Sequence, residues 1–92
     1  MNRIFDLKAI HDSHLSFYGK ATIEQFEGEN KDLLCSFGVP VCVVQSGKVS
    51  LLEDWSKHRT TLRHVKEFLL QHGFRAESKK QIGLDYGCAS NE

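Results

Sequence analysis

The hydrophobic pattern of this chain changes period along its length. In the C-terminal half, Leu62, Val65, Phe68, Leu69 and His72 recur at i, i+3, i+6, i+7 and i+10, one stripe of an amphipathic helix within residues 55–73. Ser56 or Thr60 stands where a side-chain oxygen can cap its first turn. Gly73 suits the left-handed position that ends it, with Phe74 able to fold back onto the last turn. Arg63 and Glu67 form an i,i+4 pair in the less favourable order. Ser78-Lys-Lys-Gln81 is a capping-box pattern that opens a second short helix through about Tyr86; Gly83 weakens it, and Ile82 and Tyr86 supply its packing face.

Upstream the period is two. In residues 20–26, Ala21, Ile23 and Gln25 fall on one face and Thr22, Glu24 and Phe26 on the other, a strand. Residues 27–32 are a polar turn in which Gly28 and Asn30 can take positive φ. Residues 33–45 are apolar but interrupted by Gly38 and Pro40, which reads as one kinked strand or two short strands in line, with Pro40 at an edge or bulge. Ser46-Gly47 closes a tight hairpin into a third strand over residues 48–53. Residues 1–15 are ambiguous: Ile4, Leu7 and Ile10 at three-residue spacing suit a short helix that His11 to His14 breaks. The expected fold is α+β, a three-stranded antiparallel meander followed by two helices (β-β-β-α-α) in a two-layer sandwich. Its expected core is Ile23, Leu34, Val41, Val43, Val49, Leu51, Leu62, Val65, Phe68, Leu69, Phe74 and Ile82, with Trp55 closing the sheet-to-helix junction.

Ninety-two residues, 40% of them apolar, make one small domain (1–92) with one core, to which a partner or self-association can add stability. Residues 87–92 are expected to form a flexible tail. No apolar run approaches a membrane span, and Met1-Asn-Arg-Ile-Phe-Asp6 does not open like a signal peptide, so a cytoplasmic protein without membrane contact is expected. The three cysteines form no C-x-x-C pair. Cys35 and Cys42 read as small buried hydrophobes, and a reducing compartment disfavours a disulfide between them.

Charge adds what the pattern lacks. The net charge is zero, but residues 1–55 carry five basic and eight acidic side chains, whereas residues 56–80 carry seven basic and two acidic. That polarity can attract an acidic partner, protein or nucleic acid. Candidate chemistry is otherwise thin. His11 and His14 are i,i+3, while His58, His64 and His72 are six and eight apart, and none has a structural-zinc spacing. Cys88 lies in the tail, away from a base, and the glycines are scattered singly rather than gathered in a phosphate loop. No enzyme activity, metal or cofactor is therefore expected. The remaining constellation is Arg59, Thr60, Arg63, His64 and Lys66 on the outer helix face, with Trp55 beside it and Lys79 and Lys80 following. Guanidinium and hydroxyl groups near a helix start can hold phosphates or a partner's carboxylates.

Ser16-Phe-Tyr-Gly-Lys-Ala21, Leu34-Cys-Ser-Phe37, Gly47-Lys48, Trp55-Ser56, residues 60–69 and Gln71-His-Gly-Phe74 together resemble a family of small uncharacterised domains encoded by bacteriophages and mobile elements, over roughly residues 16–82. Where that family tends to have Ser-Tyr-x-Thr, this chain has Ser36-Phe37-Gly38-Val39-Pro40, without the two hydroxyls. The resemblance implies a phage or mobile-element origin and supplies no catalytic residue. The expected function is an accessory protein that binds and inhibits a host protein or nucleoprotein complex in the host cytoplasm. An anti-CRISPR-like blocker of a defence nuclease is the leading case, and neutral charge argues against a DNA mimic. The alternative is a small nucleic-acid-binding module using the basic helix over residues 57–72.

Overall fold

The computed structural model describes residues 2–11, 17 and 19–87. Five strands and two helices follow in order: β1 (Asn2–Asp6), β2 (Ala21–Phe26), β3 (Lys31–Ser36), β4 (Val39–Gln45), β5 (Lys48–Leu51), α1 (Arg59–Gln71) and α2 (Lys79–Tyr86). The strands form one antiparallel sheet in sequence order. The α+β class matches expectation, but the meander has five strands rather than three.

Two local features account for the difference. Residues 2–6 are an edge strand, not a helix, and all five are exposed. A strand with no buried face is under no pressure to alternate, so its period carries no signal. The apolar stretch over residues 33–45 is a hairpin rather than strands in line, because Phe37 (φ 53°) and Gly38 (φ 79°) are both left-handed, as in a type I′ turn. Ser46 (φ 51°) and Gly47 (φ 82°) make the same kind of turn at the next corner. Pro40 sits opposite Cys35 while Cys42 sits opposite Leu34, so Val41 is an extra, bulged residue. The bulge buries both Val41 and Cys42.

Alternation then divides the sheet. Ala21, Ile23, Leu34, Ser36, Cys42 and Val44 are buried on the face that receives the helices. Thr22, Glu24, Leu33, Cys35 and Val43 occupy the other face, which the described residues leave only part-covered. Val43 is therefore not in the core, and Cys35 is half-exposed rather than buried. Cys35 and Cys42 are free thiols on opposite faces, which rules out a disulfide between them in this fold.

From α1, Thr61, His64, Val65, Glu67, Phe68 and Leu69 are buried, so the inner stripe is rotated toward residues 61 and 64. Leu62 is only half-buried. Complete burial of the Phe68 ring alone stabilises the fold by about 2–3 kcal/mol. Neither Ser56 nor Thr60 caps α1; the N-cap is His58, whose side chain makes no capping bond. The C-terminus follows expectation: Gly73 N–H donates to Leu70 O and Phe74 N–H to Leu69 O, at 3.0 and 2.9 Å, a Schellman motif around left-handed Gly73. Ser78 does cap α2, accepting from Gln81 N–H at 3.1 Å. Trp55 lies at the sheet-to-helix junction against the core, and a Cβ placed on Gly83 of α2 would sit 3.5 Å from its ring. His14, Ser16, Tyr18 and the expected 87–92 tail beyond Gly87, Cys88 included, lie outside the described residues; Gly87 itself ends α2, its N–H donating to Gly83 O at 3.0 Å.

Candidate binding face of the first helix

The outer face of α1 is built by helical spacing. Arg59, Arg63 and Lys66 stand at i, i+4 and i+7, which at 3.6 residues per turn places them within a sector of roughly 60°. Arg59 and Thr60 are exposed, and Arg63 and Lys66 are half-buried. The single carboxylate of α1, Glu67, turns inward and is 1% exposed. It accepts from the backbone N–H of His11 (2.7 Å), the His11 ring Nδ1 (2.8 Å) and Gln71 Nε2 (2.7 Å). Burial pushes this carboxyl up, but the hydrogen bonds from Gln71 and His11 outweigh it and hold the group below the ordinary carboxylate range. The same network ties the segment after β1 to α1, since Gln71 Nε2 also donates to Lys8 O at 2.6 Å.

The solvent side of α1 is thus basic without an interspersed acid. Its first turn contains no acid either. Arg59, the cation of that turn, opposes the helix dipole, at a cost of about 0.3–1 kcal/mol when exposed at low salt. An exposed cation at that position, which costs the helix stability, is the kind of choice that function retains.

His64 does not belong to this face. It is fully buried, its Nδ1 sharing a 2.8 Å hydrogen bond with Ser36 Oγ, which in turn lies 3.1 Å from Thr61 Oγ1. Phe17 meets the imidazole edge-on at 4.6 Å and Phe37 lies 5.7 Å away. A serine–histidine pair is the hardware of hydrolases. Here Ser36 is 2% exposed, its hydroxyl is shared with Thr61, and it lies at the wall of a small cleft at the start of α1. What the trio does is join β3 to α1 by side-chain hydrogen bonds inside the core. The stripe Thr61, His64, Phe68 was present in the sequence at i, i+3 and i+7; the polar names hid it.

The other predicted residues are dispersed. Trp55 precedes α1 and lines a broad open depression of about 620 Å³ with Leu51, Asp54, Lys57 and Gly83. Lys79 and Lys80 are exposed on the first turn of α2, a separate helix. A smaller cleft of about 190 Å³, which sequence reasoning missed, lies between Ser36, Phe37, Val39, Asp54, His58 and Thr61 at the start of α1.

His11, His64 and His72 make separate contacts in the fold. His72 Nδ1 lies 2.8 Å from Phe68 O and its Nε2 2.7 Å from Asp32 Oδ2, contacts that pin the end of α1 to β3. Among the described residues no three His, Cys, Asp or Glu side chains gather as a metal site. Burial pushes the Cys42 thiol up to about 12, which leaves it un-ionised and unreactive at neutral pH. No helix among the described residues is long and apolar enough to cross a membrane.

Comparison with curated proteins and with solved structures returns no match. Comparison with protein families returns one described as a family of unknown function, matched over residues 5–83, which takes in every element from the end of β1 to the middle of α2. The chain belongs to this family of small uncharacterised domains, DUF8033.

Proposed function

We propose that this chain is an accessory protein of phage or mobile-element origin that binds a host macromolecule through the outer face of α1 and acts by occupying it rather than by catalysis. The observation that carries the reading is the unmixed basic stripe of Arg59, Arg63 and Lys66, produced when Glu67 turns inward. The origin rests on the sequence resemblance over residues 16–82. An acidic protein surface is the complementary partner, and the carboxylate-lined metal site of a defence nuclease is one such surface. In this reading the protein needs no cofactor and works in the cytoplasm of the infected bacterium. Thr60, Lys79 and Lys80 supply peripheral polar contacts, and Trp55 an aromatic one.

Direct binding of nucleic acid by the same stripe is the competing reading. Phosphate contacts weaken steeply with salt, about one unit of log–log slope per phosphate neutralised. A mobility-shift titration of the purified protein with duplex and single-stranded DNA at low and moderate salt separates the two. Absence of a shift at low salt, with retention of a host protein on the immobilised chain, supports the proposal. A strong shift that collapses with salt replaces it with the nucleic-acid reading.

A further inference from the structure

Among the described residues, the outer edge of β1 is neither covered, nor bulged, nor broken by proline. Sheet edges are normally blunted by Pro, Lys, a bulge or a covering element. Among the described residues β1 has none of these: its register with β2 runs unbroken from Asn2↔Phe26 to Asp6↔Thr22, all five residues are exposed, and Ile4 is 69% exposed. The opposite edge is managed, since β5 is four residues long, begins with Lys48 and packs against α2.

The ladder fixes which groups are free. Leu7 N–H donates to Ala21 O at 2.9 Å, continuing the β1–β2 register by one pair. Hydrogen-bonded pairs alternate in an antiparallel ladder. Arg3 and Phe5 therefore turn their N–H and C=O toward β2, while Asn2, Ile4 and Asp6 turn theirs outward.

We infer that β1 is a self-association edge, on which a second copy of this chain pairs antiparallel about a two-fold axis at Ile4. A two-fold perpendicular to the sheet keeps each face on its own side, so a residue of the strand must lie opposite itself. Centring on Arg3 sets two guanidinium groups against each other, and centring on Phe5 sets Ile4 against Asp6. Centring on Ile4 sets Ile4 against Ile4, Asn2 against Asp6 and Arg3 against the Phe5 ring, which are apolar, hydrogen-bonding and cation–π pairs. Every outward N–H and C=O of the strand then finds a partner, and the two five-stranded sheets become one.

Sedimentation of the full chain across a concentration series tests this. The wild type shifts with concentration to twice the monomer mass. Ile4→Pro deletes the outward N–H at the axis without touching the β1–β2 ladder, and it is expected to sediment as a folded monomer. Because residue 4 faces its own copy, Ile4→Lys and Ile4→Glu are each expected to be monomeric alone and to form a one-to-one dimer when mixed. This mixing result does not depend on whether Ile4→Pro folds. A wild type that stays monomeric at the highest attainable concentration overturns the inference. So does a dimer that persists in folded Ile4→Pro, or a Lys and Glu mixture that fails to pair.

Discussion

Arg59 occupies the first helical position of α1, whose N-cap makes no side-chain bond and whose first turn has no acid. Its cation lies at the positive end of the helix dipole. Arg59→Glu replaces an unfavourable charge with a favourable one, a reversal of about 0.5–1 kcal/mol once solvent screening at this exposed site is allowed for. For a domain of this size that corresponds to a rise in Tm of about 2–8 °C. The assay is thermal unfolding followed by circular dichroism at low ionic strength and again in 1 M salt, where a dipole effect shrinks. A neutral Arg59→Gln variant is expected midway. If Arg59 is there for a partner, the same substitution that strengthens the fold weakens binding. A Tm that falls on charge reversal, or a gain that 1 M salt leaves untouched, would refute the claim that α1 carries its basic stripe against its own electrostatics.

Other expectations follow from the same contacts. The backbone of His58 (φ −123°, ψ 151°) already has the extended conformation of a capping residue, so His58→Asp is expected to add about 1 kcal/mol, read as a higher urea midpoint at constant slope; a lower midpoint would contradict the assigned start of α1. Glu67 is held below the ordinary carboxylate value of 4.5, so its contribution is complete above that pH and is lost as pH falls below it. The stability gap between wild type and Glu67→Gln is therefore expected to close in acid, and a gap that stays constant from pH 7 to pH 3 would show that the buried carboxyl is not charged in the fold.

What the sequence disclosed was local. The apolar repeat of α1, the Gly73 stop and the Ser78 cap each depend on residues a few positions apart, so pattern alone was sufficient. Where distant segments decide, the sequence was silent or misleading. Phe37 is not a turn former, and its left-handed backbone is imposed by the hairpin that continues through Gly38. His64 read as a surface cation until Ser36, 28 residues away, gave its ring a buried partner. Glu67 read as half of a surface ion pair, and its inward turn depends on His11, 56 residues away. Leu7 read as one turn of a short helix with Ile4 and Ile10, and Phe17 and Ala76 carried no period, yet all three are buried outside the regular elements. The basic face was legible as a charge imbalance. That it contains no acid became visible only once Glu67 was placed.

The most direct measurement is a matched comparison of capture from bacterial host lysate by the immobilised chain. One variant carries Arg59→Glu with Lys66→Glu on the α1 stripe. The control carries Lys20→Glu with Lys48→Glu, both exposed and outside α1, so the net charge change is identical. With both variants confirmed as folded, the account predicts that a partner retained by the wild type is lost by the α1 variant and kept by the control. Equal retention by all three, or equal loss in both variants, would contradict a binding site on the outer face of α1.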